Sequence, residues 1–149
     1  MPDQTVFRTS EAIEEFGRSR VRTELARGRW RRPARGVVIT HNGPPTRHEV
    51  LMIALSVCAP CSALAGASAL EIDGMTGFVE ERPSVVLPEG ARRPPGLDAT
   101  IHWSTKLSDL DVHPSRTPRR TRPARSVADL ASWSRVDRRA RLVVLAAVR

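Results

Sequence analysis

The apolar positions of the first forty residues fall in short, sharply bounded groups. In "SEAIEEFG" Ile13 and Phe16 lie one helical turn apart, and the stretch predicts a helix. Thr9 or Ser10 is placed to cap it, acids fill its early turns, and Gly17 ends it. A second helix is predicted from a Ser19 cap to about Arg27, closed by Gly28. Its Val21 and Leu25, four apart, share one face and are expected to pack on Ile13 and Phe16. "RWRRPARGVVIT" then runs into β-branched residues and predicts a hairpin with Gly36 near its bend. Pro33 limits pairing, so its strand belongs at an edge. "HNGPPTR" is turn chemistry throughout and marks a boundary between a domain over 1–40 and one over 48–149.

In the second block "RHEVLMIALSVCA" reads as a buried helix on Val50, Ile53, Ala54 and Val57, and "CSALAGASALEIDG" as another. "RPSVVLPEG" and "DATIHWST" read as strands around the loop "EGARRPPGL". "SVADLASWS" predicts a short capped helix and "VDRRARLVVLAAVR" a final one. The expected fold class is α+β: an N-terminal winged helix-turn-helix followed by a small mixed helix/sheet domain. The last helix is apolar nearly all round from Ala140 to Val148, a pattern normally buried. It docks into this domain, or offers a homodimer surface, or belongs to a natural chain that continues past Arg149; the reading favours the last.

Composition changes this picture in two ways. Aromatics are scarce, with three Trp, three Phe and no Tyr, so the core must rest on Leu, Val, Ile and Ala. Net charge is +8, which favours a polyanionic partner. Yet 23 of the 24 basic residues are Arg, the output of a GC-rich coding sequence, so position matters more than amount. The position is informative. Residues 1–16 hold one Arg and four acids, whereas residues 17–35 hold eight Arg and one acid.

At about 100° per residue, the face of the second helix opposite Val21 and Leu25 carries Ser19, Arg20, Thr23 and Arg27, with Arg22 at its flank. Arginine bonds bidentately to guanine, and Ser or Thr to base edges or phosphates. Arg20, Thr23 and Arg27 are therefore assigned to base edges of double-stranded DNA. Arg29, Arg31, Arg32 and Arg35 of the hairpin, a wing beside the recognition helix, are assigned to phosphates. Trp30 reads as a plug between helix and wing. "RTPRRTRPAR" (116–125) has five Arg and no acid, and both a second backbone contact and a solvated loop stand as readings. RNA binding lacks aromatic platforms for stacked bases.

Catalytic and metal chemistry find little footing. "CAPC" has knuckle spacing, but the four histidines are scattered, so Cys58 and Cys61 read as small buried apolar residues. Asp109, Asp111 and His113 in "SDLDVHP" read as a polar turn, without a phosphate loop beside them. The expectation is a non-enzyme with no metal or cofactor. The polar, acidic N-terminus is no secretory signal, the longest apolar run is too short to span a bilayer, and Pro118 and Pro123 prevent an amphipathic membrane helix. The expected location is cytoplasmic, with no membrane partner.

"TSEAIEEFGRSRVRTELARGRWRRPARGVVI" resembles the N-terminal winged helix of the AbiEi family of antitoxins through Gly17, Ser19, Val21, Leu25, Gly28, Trp30, Arg32, Arg35, Gly36 and Val37; Val38 stands where that family has Tyr. "ALAGASALEIDGM" and "RPARSVADLA" resemble later segments of the family, in order. The resemblance implies a DNA-binding repressor of its own operon and a second domain that counteracts a nucleotidyltransferase-like toxin. The alternative it implies is a non-catalytic N-terminal interaction module of a longer nuclease-like protein, since some relatives append a very-short-patch-repair-like domain.

Overall fold

A computed structural model describes residues 4–149; Met1, Pro2 and Asp3, the start of the expected 1–40 domain, lie outside the described residues. The chain has a mixed α/β fold of several helices and two small sheets, divided into two compact units. One unit runs to Val57 and takes in Pro94–Leu97; the other comprises Cys58–Arg93 and Asp98–Arg149.

The first unit is built from β1 (Val6–Arg8), α1 (Thr9–Phe16), α2 (Arg18–Ala26), β2 (Arg31–Ala34), β3 (Val37–Ile39) and α3 (Arg47–Ser56). The strands form an antiparallel sheet in the order β1-β3-β2, which puts β2 and its Pro33 at an edge, as the sequence predicts. Alternation along the strands sorts the core. Phe7 and Val38, paired across the sheet, join Ala12, Val21 and Trp30, with Ile13, Phe16 and Leu25 packed alongside. Val6, Val37 and Ile39 form a second cluster with Met52, Ile53 and Val57. Since successive side chains of a strand point to opposite faces, α1 and α2 cover one face and α3 the other. Each buried Val or Phe in such a layer contributes about 1.5–3 kcal/mol.

Four expectations are corrected here. The boundary expected at 41–47 does not end the unit, because α3 packs on its sheet. Neither Thr9 nor Ser10 caps α1: the N-cap is Arg8, whose N–H donates to the Glu11 carboxylate at 2.8 Å. Thr9 is the first residue of α1, and its N–H, which has no acceptor within the helix, donates to the Gly36 carbonyl at 2.9 Å. Nor does Ser19 cap α2. Gly17, at φ 84°, is both the C-cap of α1 and the N-cap of α2, so a single residue turns the chain between two helices and Ser19 lies inside the first turn. That φ lies in the left-handed region open to glycine. The "buried" helix is also shallower than expected: Leu51 and Ala54 are buried, while Val50, Ile53 and Val57 are half-buried.

α3 carries a capping box that the sequence analysis passed over. Glu49 N–H donates to Thr46 Oγ1 at 3.2 Å, and Thr46 N–H donates to Glu49 Oε2 at 2.7 Å. Glu49 is buried, and its Oε1 also meets Thr5 Oγ1 and His41 Nε2. Burial alone would raise its pKa, but the hydrogen bonds from Thr5, the Thr46 backbone and His41 outweigh it and lower it from 4.5 to about 2. A depressed carboxylate pKa stabilises the fold above the unfolded value and loses that contribution as pH falls through the folded one. Glu49→Gln is therefore expected to destabilise the first unit by about 3 kcal/mol at pH 7. The difference from wild type should shrink between pH 4.5 and about 2, as read by urea unfolding with hydrogen exchange at β3 amides. A pH-independent difference would show that ionisation of Glu49 is irrelevant.

The second unit contains β4 (Ala63–Leu64), α4 (Gly66–Ile72), β5 (Ser84–Pro88), β6 (Thr100–Ser104), α5 (Pro123–Trp133) and α6 (Asp137–Val148). Its sheet has the order β4-β5-β6; β4 and β5 are antiparallel, β5 and β6 parallel. The helix expected over 61–74 begins only at Gly66, because Ala63 and Leu64 pair with Val86 and Val85. α4 is buried over its first five residues, and Ala67, Leu70, Leu130 and Val143 form a core with α5 and α6. α5 starts at Pro123, so Ser126 is no cap; it is buried and donates to the carbonyls of Thr121 and Arg122.

Gly66 sits at φ 52° directly against Trp133, and a Cβ there would lie 2.8 Å from the indole. That indole cannot easily move, because it stacks on His102 with centroids 3.6 Å apart. Gly66→Ala is expected to destabilise this unit by about 2–4 kcal/mol, combining left-handed strain with overpacking. A thermal midpoint within a degree of wild type would contradict this.

"RTPRRTRPAR" is fastened to the sheet of the second unit, and Arg120 and Arg125 are held by carboxylates, while Arg116, Arg119 and Arg122 are exposed. Leu64 N–H donates to the Arg119 carbonyl and Thr121 N–H to the Leu64 carbonyl, which adds this segment beside β4. Arg120 is buried on Asp73, with Nη2 at 2.8 Å from Oδ1. Arg125 donates from Nε to both carboxylate oxygens of Asp129 at 2.9 Å. Backbone hydrogen bonds and the two arginine–carboxylate pairs together hold the segment. Cys58 is buried as expected, but Cys61 is exposed. Of the three readings open for the apolar α6, docking into this domain is not what the structure shows, since only Val143 is buried. Among the described residues no helix is long and apolar enough to cross a membrane.

Candidate nucleic-acid interface

The candidate surface begins with what α2 hides. Val21 is buried and Leu25 half-buried against α1 and Trp30, which fixes the helix's rotation. Ser19, Arg20, Arg22, Thr23 and Arg27 are consequently all exposed. Trp30 is 8% exposed and edge-on to Phe16 at 5.0 Å, so it is the plug the sequence predicts. It anchors the start of the β2–β3 hairpin, whose Arg31, Arg32 and Arg35 are exposed, as is Arg29 just before it.

These nine side chains differ in their commitments. Arg29 Nη1 lies 3.6 Å from the largely buried Glu24 carboxylate, while the arginine side chain itself is exposed. Arg31 Nη2 donates to the Gly43 carbonyl. Arg20 leans over Phe16 and Trp30, its guanidinium carbon 5.3 and 5.9 Å from the two ring centres. There it borders a cleft of about 540 Å³ floored by Phe7, Phe16 and Trp30, with Glu15 also on its lining. The ring contacts thus place the exposed Arg20 at the edge of the α2 face that borders α1. Arg22, Arg27, Arg32 and Arg35 make no side-chain hydrogen bond or ion pair among the described residues. The acids of α1 do not neutralise them: Glu11 is taken by the helix cap, and Glu14 and Glu15 form no ion pair among the described residues.

Chemically, the unit presents a helix of nine residues, about 13 Å long, with hydroxyl and guanidinium groups outward, followed by an edge hairpin bearing more of the same. Guanidiniums without acidic partners attract anions. Arg18, at the first position of α2, is exposed as well; it belongs to the same arginine run but faces away from the outer stripe by helical spacing.

The second unit absorbs the other candidates. Asp111 Oδ2 accepts from Ser108 N–H and Oγ at 3.0 Å each and lies 3.3 Å from Arg125 Nη1. The Ser108 backbone bond leads in holding its pKa below the usual carboxylate value. The turn around Asp111 is thus built by that carboxylate. Asp109 is exposed beside it. Burial lowers the pKa of His113, and the nearby arginines add to that. Burial likewise lowers that of His102 against the opposing charges of Asp129 and Glu80, and raises that of Asp129 against Arg125. The buried Asp73–Arg120 pair escaped the sequence analysis, because its partners lie 47 residues apart.

No family model matches the chain, and no curated protein matches it.

Proposed function

We propose that the first unit is a winged helix-turn-helix that binds double-stranded DNA, and that the chain acts as an antitoxin-like transcriptional repressor. The order β1-α1-α2-β2-β3, with the first strand pairing to the last, supports that reading. In it α2 enters the major groove and the β2–β3 hairpin is the wing. Arg20, Thr23 and Arg27 meet base edges; Ser19 and Arg22 meet base edges or backbone; Arg29, Arg31, Arg32 and Arg35 hold phosphates. The observation that carries the proposal is the set of exposed guanidiniums without acidic partners, Arg22, Arg27, Arg32 and Arg35, on the outer side of a helix and hairpin otherwise locked into the core. Repression follows from occupancy of an operator, with a nucleotidyltransferase-like toxin as the counteracted partner.

The test is the salt dependence of binding to duplex DNA. With about five to seven phosphates neutralised, log affinity should fall against log salt with a slope of about −5 to −6. A slope near zero would rule out this groove contact.

A further inference from the structure

α6 breaks the rule that a helix buries its apolar residues. Val143 is buried, while Leu142, Val144, Leu145 and Val148 are 49%, 45%, 61% and 82% exposed. At about 100° per residue, Leu142, Leu145 and Val148 fall within one arc on the side away from Val143. Arg138, Arg141 and Arg149 fall in the same arc. Arg139, outside it, is held by Glu80 at 2.8 Å. The three arginines within it have no ion pair among the described residues.

We infer that this face of α6 docks an amphipathic helix of another protein, one whose apolar stripe is bordered by acidic residues. The exposed apolar residues supply the area by helix-to-helix packing, and the arginines select the charge of the partner. A second copy of this chain fits worse. Parallel pairing sets Arg138 and Arg141 against their own counterparts, and antiparallel pairing centred on Leu142 and Leu145 sets Arg138 against Arg149. A bilayer fits worse too, because the arginines lie within the apolar arc, so inserting Leu145 would drag Arg141 toward hydrocarbon. α6 also has no Trp or Phe to anchor at a membrane surface.

The experiment titrates the full chain with a synthetic 18-residue helical peptide. It carries Leu at i, i+3, i+4 and i+7 spacing with Glu borders; a control replaces every Glu by Lys. Binding is followed by anisotropy of a labelled peptide. The acidic peptide is expected to bind at least tenfold tighter than the basic one, and Leu145→Glu should weaken it at least tenfold. Leu145 is largely exposed, so this variant should keep wild-type circular dichroism. Equal binding of the two peptides, or binding of neither, overturns the proposal. So does concentration-dependent dimerisation abolished by Leu145→Glu, which would make the occupant a second copy. Leu145-dependent binding to phosphatidylglycerol vesicles without peptide binding would make it a membrane.

Discussion

Replacing Arg120 with Leu is expected to lower the unfolding free energy of the second unit by about 3–5 kcal/mol. Arg120 is 4% exposed, and its Nε and Nη2 lie 2.9 and 2.8 Å from Asp73 Oδ1, while Nη1 donates to the Pro118 carbonyl. Removing the guanidinium strands a carboxylate out of water. Its remaining neighbour, Arg116, is 3.9 Å away and mostly exposed, too distant and too well solvated to replace it. The pair sits at the centre of the segment, between Arg119 and Thr121, which carry the backbone hydrogen bonds to Leu64. Adding Asp73→Asn removes the stranded charge, so the double variant should recover a substantial part of the loss. Urea unfolding of the two singles and the double measures the coupling. A single-variant effect below about 1 kcal/mol would mean that packing, not charge pairing, holds this segment.

The second large effect is on DNA. Arg20→Ala with Arg27→Ala should weaken binding to the preferred duplex by about 1–3 kcal/mol per lost base contact while leaving other duplexes much less affected. Arg31→Ala with Arg32→Ala and Arg35→Ala should weaken every duplex about equally and flatten the salt slope by about 3. All five side chains are exposed, so neither set should unfold the protein. Arg20 is the partial exception, because its ring contacts contribute about 0.5–1 kcal/mol to the fold. A melting curve separates that loss from the loss of specificity. If the two sets produce the same profile across sequences and salt, the division between base reading and phosphate holding is wrong.

Much of the first unit was written locally. Gly17 and Gly28 delimit α2, Val21 and Leu25 set its rotation, and Pro33 and Gly36 shape the hairpin; each of these acts within a few residues of itself. The exposure of Arg22, Arg27, Arg32 and Arg35 follows from that rotation and that hairpin, so the candidate interface was legible too. β1 was not: three residues have no periodicity to read, and their partner β3 lies about thirty positions on. β4 was hidden for a related reason. Ala63 and Leu64 have no strand preference of their own and are extended because Val85 and Val86 lie opposite.

The arginines make the division clearest. Arg27 and Arg120 sit in similar basic runs, yet one is exposed and the other buried. Arg125 and Asp129, four apart on α5, formed a pair the sequence could display. Asp73, which captures Arg120, reaches it only through the fold. By itself the sequence determined the two short helices, the hairpin, the outward stripe of cations and the final apolar helix. Tertiary structure alone decided that α3 belongs with the first sheet, which arginines are neutralised, and that α6 shows its apolar side to solvent. Helix ends and turns are short-range choices of backbone and side chain, whereas burial and charge pairing depend on groups that meet only when distant segments pack.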